Sequence, residues 1–144
     1  MTQNKFNRPR QADDWKTPPA FYEKLNERFD FDFDPCPLYH DITKWDGLKI
    51  EWGQRNFVNP PYSRKLKKQF IKKAYEESLK GKLCVLLIPA STDTKIFHEY
   101  ILGIADIEFI QGRLKFEGFN NLGEFCNMPA QKGSMLVIYD GTKK

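Results

Sequence analysis

Asn59-Pro60-Pro61-Tyr62 places an amide, two rigid rings and a phenol in consecutive positions. Such a set can recognise a planar exocyclic amine. The Asn59 side chain offers a carbonyl acceptor. Pro60 lacks an N–H but keeps a C=O, held by a locked φ. Two acceptors can take both hydrogens of an –NH₂ group. Accepting them draws the nitrogen lone pair out of conjugation with its ring, toward an attacking, tetrahedral geometry. Tyr62 can lie flat against that ring, because its π face stacks on any base. The competing reading is an ordinary turn at a strand end, since Asn-Pro and Pro-Pro are common turn dipeptides.

Other chemistries find less support. His40 and His98 are the only histidines and lack metal-ligand spacing, so both read as structural. No nucleophile–His–carboxylate set is visible. Asp93 follows an apolar run and reads first as a helix cap. Cys36, Cys84 and Cys126 are odd in number and widely spaced, with no C-x-x-C pair. Neither a zinc ribbon nor a disulfide framework is indicated, and the cysteines read as reduced thiols of a cytosol. Arg64, Lys65, Lys67, Lys68, Lys72 and Lys73 follow the motif directly. They suit phosphate contact or a solvated helix face, and Glu76-Glu77 favours the second. Arg8 and Arg10, and the stretch Asn120-Asn121-Leu122-Gly123, are further candidates for contact with a polyanion.

The elements that must position the motif follow from periodicity. Residues 1–14 are polar and read as a flexible arm. Thr17 is expected to cap a helix that Pro18 opens, with Phe21, Leu25 and Phe29 on one face. Phe31-Asp32-Phe33-Asp34 alternates like a strand and stops at Pro35. Cys36 to Gln54 reads as irregular. Arg55 to Val58 is expected to be a short strand leading into the prolines. A helix is expected from Lys65 to Lys80, with Gly81 ending it. Leu83 to Ile88 is continuously apolar, as in a central parallel strand. Ser91-Thr92-Asp93 is expected to cap a short helix through Tyr100 and Leu102. Ile107 to Ile110 is another strand, Phe119 to Lys132 a Gly/Asn-rich loop, and Ser134 to Tyr139 a final strand. Alternating helices and strands imply an α/β layered domain.

The chain has 144 residues, enough for one domain with a real core. Its net charge of +4 is compatible with a polyanion partner without demanding one. No apolar run reaches membrane-spanning length, so no membrane is expected.

The ordered series resembles the small phage-type DNA adenine-N6 methyltransferases, the phage Dam-like family. It runs through Thr17-Pro18, Asp34-Pro35, Asp46-Gly47-Leu48, Trp52, the FVNPPY stretch at 57–62, Ile88-Pro89-Ala90, Thr92-Asp93-Thr94, Phe97-His98, Gly112-Arg113-Leu114-Lys115-Phe116 and Ser134 to Tyr139. NPPY alone also marks glutamine methyltransferases and RNA adenine methyltransferases. The whole series is more specific and covers nearly everything from Trp15 to Tyr139.

The resemblance implies a Rossmann-like S-adenosylmethionine-dependent methyltransferase fold: α/β, a mostly parallel sheet with an antiparallel C-terminal strand, and helices on both faces. It implies methylation of the N6 amine of adenine in DNA, with S-adenosyl-L-methionine as cofactor and no metal. Asn59, Pro60, Pro61 and Tyr62 match the catalytic motif. Thr17, Pro18, Asp34, Pro35 and Asp46 match positions around the cofactor. Phe116 looks like an aromatic wall on the target-base side, and Arg64, Lys65 and Lys68 suit the DNA backbone. Most S-adenosylmethionine enzymes have a Gly-rich turn after the first strand. Here no glycine occurs between Asp34 and Gly47, a poverty the phage-type relatives share. A stacked adenine must be flipped out to react. Residues 15–144 are expected to form a single methyltransferase domain without a separate target-recognition domain. That favours weak specificity or a homodimer on a short palindrome. The resemblance also implies a phage- or prophage-encoded enzyme in the cytoplasm of a bacterial host cell. RNA adenine or a protein glutamine as substrate, and a DNA-binding module without catalysis, stay open.

Overall fold

The structure, a computed structural model, describes residues 16–37, 43–44, 46–61, 63–119, 125–129 and 132–143. Tyr62, the arm with Arg8 and Arg10, His40 and the 120–123 stretch lie outside the described residues. Two helices are α1 (Pro19–Phe29) and α2 (Arg64–Ser78). The strands are β1 (Arg55–Val58), β2 (Leu83–Pro89), β3 (Asp106–Phe109), β4 (Lys115–Phe119), β5 (Phe125–Pro129) and β6 (Ser134–Asp140). A π-helical turn, Phe97–Ile101, lies between β2 and β3.

The main sheet has the order β1-β2-β6-β3. β1 and β2 pair in parallel, while β6 pairs antiparallel with both β2 and β3. Strands β1, β2 and β3 therefore share a direction and the C-terminal strand runs against them. By pairing the sheet is mixed, so β2 is central but parallel on one side only. A parallel bridge, Phe33 to Asn56, extends the sheet beyond β1. The expected strand at Phe31–Asp34 is thus reduced to an extended segment with one bridge.

β2 and β6 are buried along almost their whole length, so both of their faces must be covered. Leu25 and Phe29 of α1 pack with Phe57, Leu83, Val85, Leu87, Leu136 and Ile138. Phe70, Ile71 and Ala74 of α2 pack on the opposite face with Val58, Cys84, Leu86, Ile88, Met135 and Val137. Residues alternate between the two clusters along β2, as a pleated strand requires. Helices therefore cover both faces.

Several sequence expectations need correction. Thr17 does not cap α1: Pro18 occupies the cap position, without a side-chain cap, and Pro19 opens the helix. The turn after β2 is capped by Thr94, whose hydroxyl accepts from the Phe97 N–H at 3.3 Å, rather than by Asp93. The expected loop from Phe119 to Lys132 contains β5, which pairs antiparallel with β4 in a separate two-stranded sheet. The turn-forming residues between these strands masked a short second strand that ends in a proline. Among the described residues no helix is long and apolar enough to cross a membrane.

Candidate active site

The site is built at the sheet edge where β1 ends. Asn56, Phe57 and Val58 are buried and lock β1 against β2. Pro60 then prevents the ladder from continuing, because it has no N–H to donate. Asn59 emerges half-buried at that break. The Phe57 N–H donates to the Phe33 carbonyl at 3.0 Å, which sets the segment ending in Asp34-Pro35 beside the motif.

Asn59 is held from two directions. Its side-chain Nδ2 donates to Thr17 Oγ1 at 3.1 Å. Its main-chain carbonyl accepts from the Cys36 thiol at 3.2 Å. Thr17 is only 6 % exposed, so this amide–hydroxyl bond is largely sheltered from water. In this arrangement Nδ2 turns to Thr17, and the Oδ1 acceptor lies on the other side of the amide. The hydroxyl expected to cap a helix therefore orients Asn59 instead.

Cys36 is aimed by its own turn. Asp34 Oδ1 accepts from the Cys36 N–H at 2.9 Å, the short Asx turn that aspartate readily forms. Asp46 does the same with the Leu48 N–H at 2.9 Å. Between them sits a close backbone approach of the kind a Gly-rich turn supplies in other S-adenosylmethionine enzymes. A Cβ on Gly47 would stand 1.9 Å from the Pro35 carbonyl oxygen, which no side chain tolerates. Gly47 thus lets the Asp46 loop lie against Pro35. The Trp52 indole N–H donates to the Gly47 carbonyl at 2.6 Å and fixes that loop from below. Trp52 is buried and its ring stacks near Phe70 of α2.

The electrostatics differ across the site. Burial raises the Tyr22 phenol pKa above its usual value, and the negative charge of Asp34 adds to the rise. Asp34 and Asp46 bring carboxylates to this part of the sheet edge. Basic residues follow the prolines: Arg64, Lys65 and Lys68 are exposed at the start of α2, while Lys67 is half-buried. Burial, then Lys132 and Arg64, push the Lys67 pKa down.

The structure brings Thr17, Asn59 and the Asp34-Pro35 turn together, with Asp46-Gly47 packed against that turn. Pro60 is buried and Pro61 half-buried beside them. Phe116 is buried in the apolar cluster under α1 with Leu25, Phe29 and Phe57. His98 bonds through Nε2 to the Thr92 carbonyl at 2.9 Å, a structural role. Sequence reasoning missed Cys36, whose thiol meets the Asn59 carbonyl. Cys36 had one available signal, its position two residues after Asp34, where an Asx turn directs the next N–H and side chain.

Comparison with curated proteins and with solved structures gives no match for this chain. A family model does match, over residues 5–144, and its description is DNA N-6-adenine-methyltransferase (Dam). The chain belongs to that family of adenine-specific DNA methyltransferases.

Proposed function

We propose that the chain methylates the N6 amine of an adenine flipped out of DNA, using S-adenosyl-L-methionine, in a site centred on Asn59. The observation that carries this reading is the Thr17–Asn59 bond, which holds the amide of the motif beside the Asp34-Pro35 turn. Asn59 Oδ1 and the Pro60 carbonyl accept the two N6 hydrogens, and Tyr62 stacks on the purine. Holding the amine this way favours the pyramidal nitrogen that a methyl acceptor needs. An amide locked by a buried hydroxyl requires no reorganisation when the base arrives.

The donor residues suit the cofactor. S-adenosylmethionine is cationic at sulfur and at its amino group, and Asp34 and Asp46 provide carboxylates beside a close-packed backbone. When bound, it supplies an electrophilic methyl group that needs neither a metal nor a covalent enzyme intermediate. Asp34, Pro35 and Asp46 would hold it, with Thr17-Pro18 beside the same turn. The protein's part is alignment and exclusion of water. Flipping the adenine costs a few kcal/mol, and contacts to the strand backbone offset it. The strand directions, with a reversed C-terminal strand between β2 and β3, suit a Rossmann-like methyltransferase fold. We assign residues 15–144 to one such domain.

Mass spectrometry of DNA incubated with the protein and isotope-labelled S-adenosylmethionine tests the reading, with N6-methyladenine as the expected product. Asn59→Ala should lower turnover by at least on the order of 100-fold while calorimetric binding of the donor stays close to wild type. Near-wild-type turnover in that variant refutes the role given to Asn59.

A further inference from the structure

Basic side chains from separate parts of the chain meet at the sheet edge that carries Asn59. Arg64 and Lys67 stand one turn apart at the start of α2. Lys132 immediately precedes the Gly133–Ser134 entry to β6, and its Nζ donates to Ser91 Oγ at 3.2 Å. Ser91 lies two residues past Pro89, the last residue of β2. Pro89 pairs with Ser134, and β1 runs parallel to β2. The ends of β1 and β2 and the start of β6 therefore open on the same side of the sheet.

Lys67 lies close enough to Lys132 and to Arg64 to feel both charges. Lys132 and Arg64 both lower the pKa of Lys67, adding to the effect of its burial. Among the described residues, no carboxylate forms an ion pair with Arg64, Lys67 or Lys132. Lys73 and Lys82, which are also drawn inward, are each paired with Glu77. Like charges held together without a counter-ion raise the free energy of the folded chain, and an anion placed among them lowers it. A phosphate fits this set, since it accepts from a guanidinium, from ammonium groups and from a hydroxyl at once.

We propose that Arg64, Lys67 and Lys132, together with Ser91, dock a backbone phosphate of the DNA strand whose adenine enters at Asn59. The inference rests on the methyltransferase reading above and adds to it the anchor that holds the strand while the base leaves its stack. Such a contact fixes register and orientation without reading sequence. Lys132 and Ser91 thereby belong to substrate binding, although they are distant in sequence from the catalytic motif.

The test measures binding of labelled duplex and single-stranded oligonucleotides across a series of salt concentrations. The slope of log affinity against log salt should fall by about one in the Lys67→Gln/Lys132→Gln double variant, and affinity should weaken uniformly across sequences. Ser91→Ala should weaken binding more mildly. Lys95→Gln, at an exposed lysine paired with Glu99, should leave the slope unchanged. The double variant should melt no lower than wild type, because it removes repulsion. A wild-type slope in the double variant overturns the docking site. Methylation by the wild-type protein is measured alongside. Methylation with an unchanged slope overturns the docking site and leaves the enzyme reading standing. A changed slope without any methylation does the reverse.

Discussion

The two ends of α2 treat charge in opposite ways. Near its C-terminal end the Glu77 carboxylate is 1 % exposed and accepts from Lys73 at 2.8 Å, Lys80 at 3.2 Å and Lys82 at 2.6 Å. The Trp52 N–H adds a bond at 3.2 Å. Burial alone raises the Glu77 pKa, but these donors outweigh it and bring the value down to about 2. At the N-terminal end, Arg64 and Lys67 face Lys132, with no carboxylate paired to them among the described residues. The helix dipole sharpens the contrast, because cations at an N-terminus are disfavoured by about 0.3–1 kcal/mol each. The first turn of α2 holds no acidic residue. Charges that stabilise the fold are closed into a network. The uncompensated charges stand at the sheet edge that carries Asn59. The difference separates lysines that hold the structure from lysines that await an anion.

Breaking the closed end should have the largest effect on stability. Glu77→Gln leaves Lys73 partly buried without its counter-charge and Lys82 with the exposed Glu51 alone, a loss of roughly 3 kcal/mol. For a chain of this size that lowers the melting temperature on the order of 10 °C. The pH dependence carries the same sign. Glu77 has a folded-state pKa of about 2 against an ordinary value of 4.5. Its contribution is complete above pH 4.5 and is lost as pH falls from there toward 2. Thermal melting of wild type and Glu77→Gln should therefore differ by a constant amount above about pH 5 and converge in the acid window. A constant difference throughout that window would remove Glu77 from the acid response.

What was legible in the sequence divides along similar lines. β2 announced itself because a strand covered on both faces must be continuously apolar. α2 showed its period, but it stops at Ser78 with Leu79 as its cap, short of the expected Lys80, and Gly81 at φ 91° lies in the turn that follows. The position of β6 between β2 and β3 is a pairing choice, which local pattern does not encode. β5 was read as loop because turn residues and a proline surround a short apolar run. At the site, Asn59 was legible as a motif, but its partners were not. The Thr17 hydroxyl was expected to satisfy a helix N–H, the commoner local use, and tertiary folding gave it to an amide 42 positions away. Lys132 and Ser91, 41 positions apart, could be joined only by the strands between them.

The Asn59 amide sharpens the comparison, since at the same sheet edge its Nδ2 is paired with a buried hydroxyl. Thr17→Val keeps the volume and removes the acceptor. The effect expected is about 1–2 kcal/mol on the barrier, a roughly tenfold fall in kcat. The KM for DNA and donor binding should change little, and Thr17→Ser should restore most of the rate. A mere packing role would predict the reverse pattern, with Thr17→Val close to wild type and Thr17→Ser impaired.

The smallest effect tests the open end directly. Lys67→Gln removes a charge that feels both Lys132 and Arg64 and should leave stability unchanged or raise it by about 0.5 kcal/mol at low salt. Added salt should erase the gain, because partly exposed charges are screened within a Debye length of about 10 Å at 0.1 M. The sign in pH is opposite to that of Glu77. The folded-state pKa of Lys67 lies below its ordinary 10.5, so the unfolded chain holds its proton more tightly. Wild-type stability should therefore gain a component that grows as pH rises from the lowered value toward 10.5. Urea unfolding of wild type and Lys67→Gln over that alkaline range isolates it, since the variant cannot show it. A Lys67→Gln protein that is distinctly less stable at neutral pH and low salt would mean that Lys67 is held by an attraction. The two ends of α2 would then no longer be opposites.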